Sequence, residues 1–298
     1  MERTLLKIGM FLVLNSVLVA TALYIVHKLE PTYKKYNWTT EATFSAIPGN
    51  QNFDFVLMGT SHAREFSRSG NHKMIETASG KTFFNLSKGS GHGGLLPNLS
   101  AWKYFTKRGN WTKHVIYFVD PWVFFSTKWN EENYFLEDEP LKADLFWLAI
   151  KSGYSAEVLI NYVKSKLKPS YFSTKPLYDQ TNKKFLKTVD TVLILKQNEK
   201  NYLDGLDEAI YQKYKLQFSL FISSLQDQNI KVTLIMPPTL LGEEPGSKMV
   251  REFLLQLKGV EFYDHTSLIK DTKLFYDLHH MNSEGIIMYF TQNMDLFR

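Results

Sequence analysis

Three side chains of this sequence have the types and surroundings needed for acyl-transfer chemistry: Ser61, Asp277 and His280. Residues 53–58, Phe-Asp-Phe-Val-Leu-Met, form a short run of strand formers that is broken by Gly59-Thr60-Ser61-His62. In open α/β sheets ligands bind beyond the carboxyl ends of strands, so a nucleophile is expected at this point. A serine so placed also serves as a helix N-cap, and only a partner base separates the two roles. That partner stands in Tyr276-Asp277-Leu278-His279-His280-Met281-Asn282. Residues three apart share a face in a helical or turn conformation, so Asp277 can fix the His280 tautomer while the other ring nitrogen meets Ser61. A serine hydroxyl needs such a base, because it is hardly ionised at neutral pH. His279 points elsewhere as a surface or packing residue, and Asn282 reads as an N-cap for the last helix. An Asp/His/His metal site lacks a second ligand cluster, so neither a metal nor a cofactor is assigned.

The elements that must position these groups follow from the apolar runs. Besides residues 53–58, strand-like runs occupy residues 82–86, 115–119, 232–236 and 260–263. Helical-length segments separate most of them, which predicts an α/β fold with a mainly parallel sheet covered on both faces. About 110 residues lie between the third and fourth runs, more than a crossover helix needs, so an inserted, partly helical cap is expected at about residues 125–205. Residues 211–225 then read as the amphipathic crossover helix.

Residues 8–26 are apolar apart from Asn15, Ser16 and Thr21, and carry no formal charge. Nineteen residues at about 1.5 Å each reach roughly 28 Å, close to the hydrocarbon thickness of a bilayer. We read residues 1–29 as a retained single-pass membrane anchor. A cleaved signal, with small residues at Val19-Ala20-Thr21-Ala22, is the alternative, but the apolar run continues past that point. Arg3 and Lys7 precede the span and Lys28, Lys34 and Lys35 follow it, which gives no decisive charge bias for orientation. Residues 30–52, polar and with Pro31 and Pro48, read as a stalk, and residues 53–298 as the catalytic domain. The chain has no cysteine, so disulfides and thiol chemistry are excluded. Its net charge of +5 is spread over scattered lysines with no nucleic-acid-binding motif, and no nucleic-acid partner is assigned.

Gly59-Thr60-Ser61-His62 after the first strand, taken with Asp277-x-x-His280 near the end, resembles the SGNH or GDSL-like hydrolases. The closer resemblance is to their membrane-anchored polysaccharide O-acyltransferase subgroup, such as alginate O-acetylation and teichoic-acid D-alanyl transfer proteins. The resemblance covers most of the chain after Asn52 apart from the cap. It implies a three-layer α/β/α sandwich, an acyl-serine intermediate on Ser61, and transfer of an acyl group, acetyl foremost, to an extracytoplasmic glycan. A polytopic membrane-bound O-acyltransferase is the implied partner and the cell membrane the implied location. An anchored esterase and a non-catalytic scaffold of an acylation complex stand as alternatives. The stretch Asn85-Leu-Ser-Lys-Gly89-Ser90-Gly91 resembles the family block whose glycine amide holds the oxyanion, which makes Gly89 and Ser90 candidate donors or substrate contacts. The third strand departs from the family pattern, because Val119-Asp120-Pro121-Trp122 carries aspartate where asparagine is usual. Asp120 and Trp122 join Gly89 and Ser90 as oxyanion or substrate-binding candidates; an ionised carboxylate accepts hydrogen bonds only and would oppose a nearby oxyanion, so the alternative is that Asp120 organises its loop. Trp122, Phe124 and Phe125 are read either as contacts to a sugar, lipid or partner, or as core.

Overall fold

The computed structural model describes residues 2–29, 44, 47–87, 93–131, 136–137, 139–168 and 182–297. The chain forms two compact units, Met1–Lys35 with Leu136–Lys175, and Tyr36–Phe135 with Pro176–Arg298.

In the first unit, helix α1 (Glu2–Leu29) contains Thr4–Ala22, a stretch of mean hydropathy 2.0 that is long and apolar enough to cross a membrane. None of it is buried against protein. Asn15, its most polar member, donates its side-chain amide to the Phe11 carbonyl at 2.7 Å, so the group is satisfied within the helix. The same unit holds two short helices, α6 (Ala143–Lys151) and α7 (Ala156–Ser165). Leu145, Leu148 and Ala149 of the former and Val158 and Tyr162 of the latter are buried. The Tyr162 hydroxyl donates to the Pro140 carbonyl and accepts from the Lys142 amide, so a buried phenol is satisfied on both sides.

The second unit is built on a five-stranded, all-parallel sheet: β2 (Phe55–Gly59), β3 (Phe83–Asn85), β5 (His114–Phe118), β6 (Lys231–Met236) and β7 (Glu261–Asp264), in the order β3-β2-β5-β6-β7. Counted along the chain this is 2-1-3-4-5, an order that reverses direction between β2 and β5. The sequence's first strand divides at Asp54. Asn52–Phe53 (β1) pairs with Trp111–Thr112 (β4) as a separate two-stranded ribbon. The Asp54 carboxylate accepts from the Thr82 amide at 2.8 Å and hydroxyl at 3.1 Å, which holds the crossing between the two pairings. Phe44 and Ile47, within the segment read as a stalk, are buried at 0% and 3% exposure, with Phe44 edge-on to Tyr104 at 5.5 Å. The end of that segment therefore belongs to the folded unit.

Strand side chains alternate between two apolar environments. Phe55, Leu57, Phe83, Ile116, Phe118 and Ile235 share a core with Phe66, Ile286, Tyr289 and Phe290, the last three from α11 (Ser283–Gln292). On the alternate positions, Tyr117 meets Phe218 and Phe221 of α9 (Glu208–Gln226), and Phe84 meets Phe105 of α4 (Leu95–Lys107). Helix α9 is the crossover expected at residues 211–225. The insertion before it carries α5 (Thr127–Glu131) and α8 (Thr191–Asn201) in this unit.

Gly59 ends β2 in the left-handed region, at φ 128°, and a Cβ there would lie 2.4 Å from the Phe118 carbonyl oxygen. No side chain fits, so glycine is required where β2 hands the chain to Thr60 and Ser61. Gly59→Ala is expected to destabilise the chain by about 2–4 kcal/mol and lower Tm by roughly 5–15 °C. A thermal melt unchanged from the wild type would show that this approach is looser than described.

Candidate active site

Ser61 is the first residue of α2 (Ser61–Arg64), a single turn that starts directly past β2. The capping role falls to Thr60, whose hydroxyl accepts from the His62 amide. The Ser61 hydroxyl is thereby left for chemistry. Its Oγ lies 2.6 Å from His280 Nε2, across 219 residues of chain. Asn85 supports the turn from beneath, donating its side-chain amide to the Ala63 carbonyl at 2.8 Å. The amide of Gly59 donates to Asn98 Oδ1 at 3.0 Å, and Asn98 in turn donates to the carbonyls of Gly93 and Gly94.

Asp277 and His280 occupy a turn closed by the aspartate itself. Asp277 Oδ1 accepts from the His279 and His280 amides at 2.8 and 2.7 Å, and Oδ2 lies 2.8 Å from His280 Nδ1. Although burial favours the neutral acid, these bonds and the neighbouring imidazole hold the Asp277 carboxyl well below the ordinary carboxylate range. The carboxylate therefore accepts Nδ1–H, and Nε2 is the acceptor that faces the Ser61 hydroxyl. The His280 ring is flanked by Tyr276, stacked at 5.4 Å, and His62, at 5.2 Å. Asn282 caps α11 by accepting from the Gly285 amide at 3.0 Å, which anchors the turn at its far end.

Beside this relay lies a second histidine–aspartate pair that sequence reasoning missed. Asp120 Oδ1 is 2.9 Å from His62 Nδ1, and Oδ2 accepts from the Thr60 hydroxyl, all three residues being buried. Burial opposes a charged His62, yet the Asp120 carboxylate outweighs it and raises the imidazole above its ordinary value. Asp120 likewise stays ionised, against its burial, because His62 and Thr60 bond to it. Both carboxylate oxygens are engaged in organising the serine turn. Two more buried groups complete the surroundings. His279 is a packing histidine, pushed down to about 3 by burial and the adjacent imidazoles. Burial, reinforced by the charge of Asp120, pushes Glu244 up to about 8. No local signal in the sequence marks these pairings, because an aspartate after one strand and a histidine after another look like ordinary loop polar residues.

Ser61 and His280 open into a cleft of about 550 Å³. Trp122 and Trp129, edge to face at 5.5 Å, line it, as do Arg64, Gly93 and Leu186. Trp122 is thus placed at the site, whereas Phe124 and Phe125 are core, packed on Phe218 and Tyr211. One face of α8, with Leu193, Lys196, Gln197, Lys200 and Asn201, forms another wall. Asp190 caps this helix, and the segment before it is tied down by Leu186 N–H to the Phe275 carbonyl at 2.7 Å. Gly89 and Ser90 lie outside the described residues. The Ser61 amide, at the first position of α2, has no acceptor within its helix and is a backbone donor on the same residue as Oγ.

Compared with known protein families and with curated proteins, the chain matches none.

Two variants test the buried pair and its neighbour. Asp120→Asn should cost about 2–4 kcal/mol, since it leaves a buried imidazole without its carboxylate. An increase in activity instead would mean that the Asp120 charge opposes the reaction. The folded chain retains the Glu244 proton to about pH 8, whereas the unfolded chain loses it near the ordinary 4.5. The folded state binds more protons in that window, so stability falls as pH rises through it. Urea unfolding of Glu244→Gln should show a shallower decline between these pH values than the wild type. An identical slope would place Glu244 in water.

Proposed function

We propose that this chain transfers an acyl group, acetyl foremost, through an acyl-Ser61 intermediate to a hydroxyl of an extracytoplasmic cell-envelope glycan. The observation that carries this reading is the continuous relay from Ser61 Oγ to His280 Nε2, and from His280 Nδ1 to Asp277, at 2.6 and 2.8 Å in an open cleft. The parallel 2-1-3-4-5 order supports it, because the serine and Asp120 follow the two strands at which the order reverses, where α/β sheets hold ligands. The same order, with strands buried on both faces, supports the three-layer α/β/α sandwich of an SGNH-like domain.

In the first half-reaction Ser61 Oγ attacks the acyl carbonyl while His280 Nε2 takes the hydroxyl proton. Asp277 stabilises the imidazolium that forms and keeps its ring in register. The Ser61 amide donates to the developing oxyanion. Collapse of the tetrahedral intermediate breaks the bond to the leaving group, which receives the proton from His280. The acceptor hydroxyl then repeats these steps in reverse: His280 removes its proton, the new ester forms, and the proton returns to Ser61 Oγ. Trp122 and Trp129 offer flat apolar surfaces against which a sugar ring can be held, and holding the acceptor is what lets it compete with water. The apolar α1 supports anchoring in a cell membrane, and the family resemblance, not the helix, is the ground for proposing the catalytic unit outside the cytoplasm. A polytopic membrane-bound O-acyltransferase is proposed as the source of the acyl group.

With a labelled acyl donor, the chain together with its membrane partner should form labelled acyl-Ser61 and pass the label to added glycan faster than it releases free acid. Ser61→Ala and His280→Ala should each reduce transfer by at least about a thousandfold without unfolding. Release of free acid alone, across glycan acceptors, would replace transfer with ester hydrolysis. Labelled product from folded Ser61→Ala would remove the covalent intermediate altogether.

A further inference from the structure

The segment that walls the cleft presents a second surface to solvent. Phe185, Val189, Val192, Leu193 and Leu195 are between 41% and 63% exposed. Single exposed apolar residues are ordinary, but these are five large ones within eleven residues, Leu193 on the cleft wall and the other four off it, and exposed apolar patches mark interaction sites. The patch is held in place. Asn182 N–H donates to Ser283 Oγ, Leu186 N–H to the Phe275 carbonyl, and the Asn282 side chain to the Lys184 carbonyl, while Asp190 caps the helix that follows.

Charge surrounds the patch on both sides. Lys183, Lys184 and Lys187 precede the first turn of α8, and Lys196 and Lys200 follow it on the face that walls the cleft, all five exposed. Against these five stand two acids, Asp190 and Glu199, and Asp190 already serves the helix N-terminus. Large apolar side chains flanked by lysines are what a segment needs to lie in the interface of an anionic bilayer: the apolar groups enter the acyl boundary and the ammonium groups meet the headgroups. The same chain carries Thr4–Ala22, long and apolar enough to bring it to a membrane.

We infer that residues 183–200 dock on an anionic lipid surface, with Val192 and Leu195 entering the acyl boundary. Leu186 and Leu193 continue the apolar surface into the wall of the cleft, so docking brings the cleft mouth next to lipid. The inference does not depend on the reaction at Ser61 and is tested without measuring activity.

Because the chain has no cysteine, single cysteines can be placed for labelling at exposed positions of the full-length protein. Val192→Cys, Leu195→Cys and, as a control on another helix, Leu255→Cys are labelled with an environment-sensitive dye. Each is incorporated into nanodiscs of phosphatidylglycerol and phosphatidylethanolamine that contain acyl-brominated lipid. Emission at positions 192 and 195 should shift to the blue and fall by about half through bromine quenching, because an interfacial segment sits roughly 5–10 Å into the boundary. The dye at position 255 should remain unquenched, and phosphatidylcholine discs or high salt should weaken the effect at the other two. Water-like, unquenched emission at 192 and 195 overturns the inference, as does equal quenching at 255. A blue shift without quenching, accompanied by cross-linking between copies through the same cysteines, assigns the patch to self-association and also overturns it. Failure of the chain to enter the discs at all removes the membrane placement on which the inference stands.

Discussion

The hydrogen bond between Ser61 Oγ and His280 Nε2 is the contact on which the account of this chain depends. Its partners are 219 residues apart, and a 2.6 Å separation tolerates little error in the elements that carry them. On one side stands the end of β2, fixed by the close approach of Gly59 to Phe118. On the other stands a turn in which Asp277 binds two backbone amides and the ring of its own histidine. The buried sheet between them supplies the rigidity that neither loop has by itself. A site built at the ends of packed strands is held more accurately than one carried by loops alone, which is what nucleophilic catalysis by a serine requires.

The electrostatics around this contact divide into two pairs with different tasks. Asp277 is half-exposed and faces the base, so it can respond to charge that appears on His280 during reaction. Asp120 is buried, and both its oxygens are occupied by His62 and Thr60. A carboxylate near an oxyanion would oppose acyl transfer, but here Asp120 is bonded at 2.9 Å to the His62 imidazole, whose charged form it favours. The pair thereby orders the serine turn, with both Asp120 oxygens engaged by His62 and Thr60. Glu244, retained as a neutral acid to about pH 8, adds no further charge to that interior near neutral pH.

Much of this was legible in the sequence where local pattern and tertiary role coincide. Apolar runs of strand length marked the sheet strands: β2, β3, β5 and β6 are buried and need continuous apolar residues, whereas the edge strand β7 is only partly buried and carries Glu261 and Asp264. The grouping of Ser61, Asp277 and His280 could be read because a serine beyond a strand and an aspartate three residues before a histidine are local arrangements. Asp54 was read as part of a strand, since nothing in its neighbourhood reveals that Thr82 will draw it out of the ladder. The pairing of His62 with Asp120 and the burial of Glu244 depend on which strands become neighbours, and single-residue patterns do not encode that. Phe44 and Ile47 sit among polar residues and beside Pro48, so the docking of Phe44 on Tyr104 and the burial of Ile47 were hidden as well. The apolar first turn of α8 presents the opposite case: its composition suggests a core helix, whereas most of its side chains face solvent.

The central claim is that His280, oriented by Asp277, activates Ser61. A fluorophosphonate that reacts with activated serines tests it without any assumption about donor or acceptor. Peptide mass spectrometry of the treated full-length protein should find a single adduct, on Ser61, and its rate of formation should fall sharply in His280→Ala and in Asp277→Asn. Absence of an adduct on folded protein, or modification of Ser61 at an undiminished rate in His280→Ala, would contradict the account.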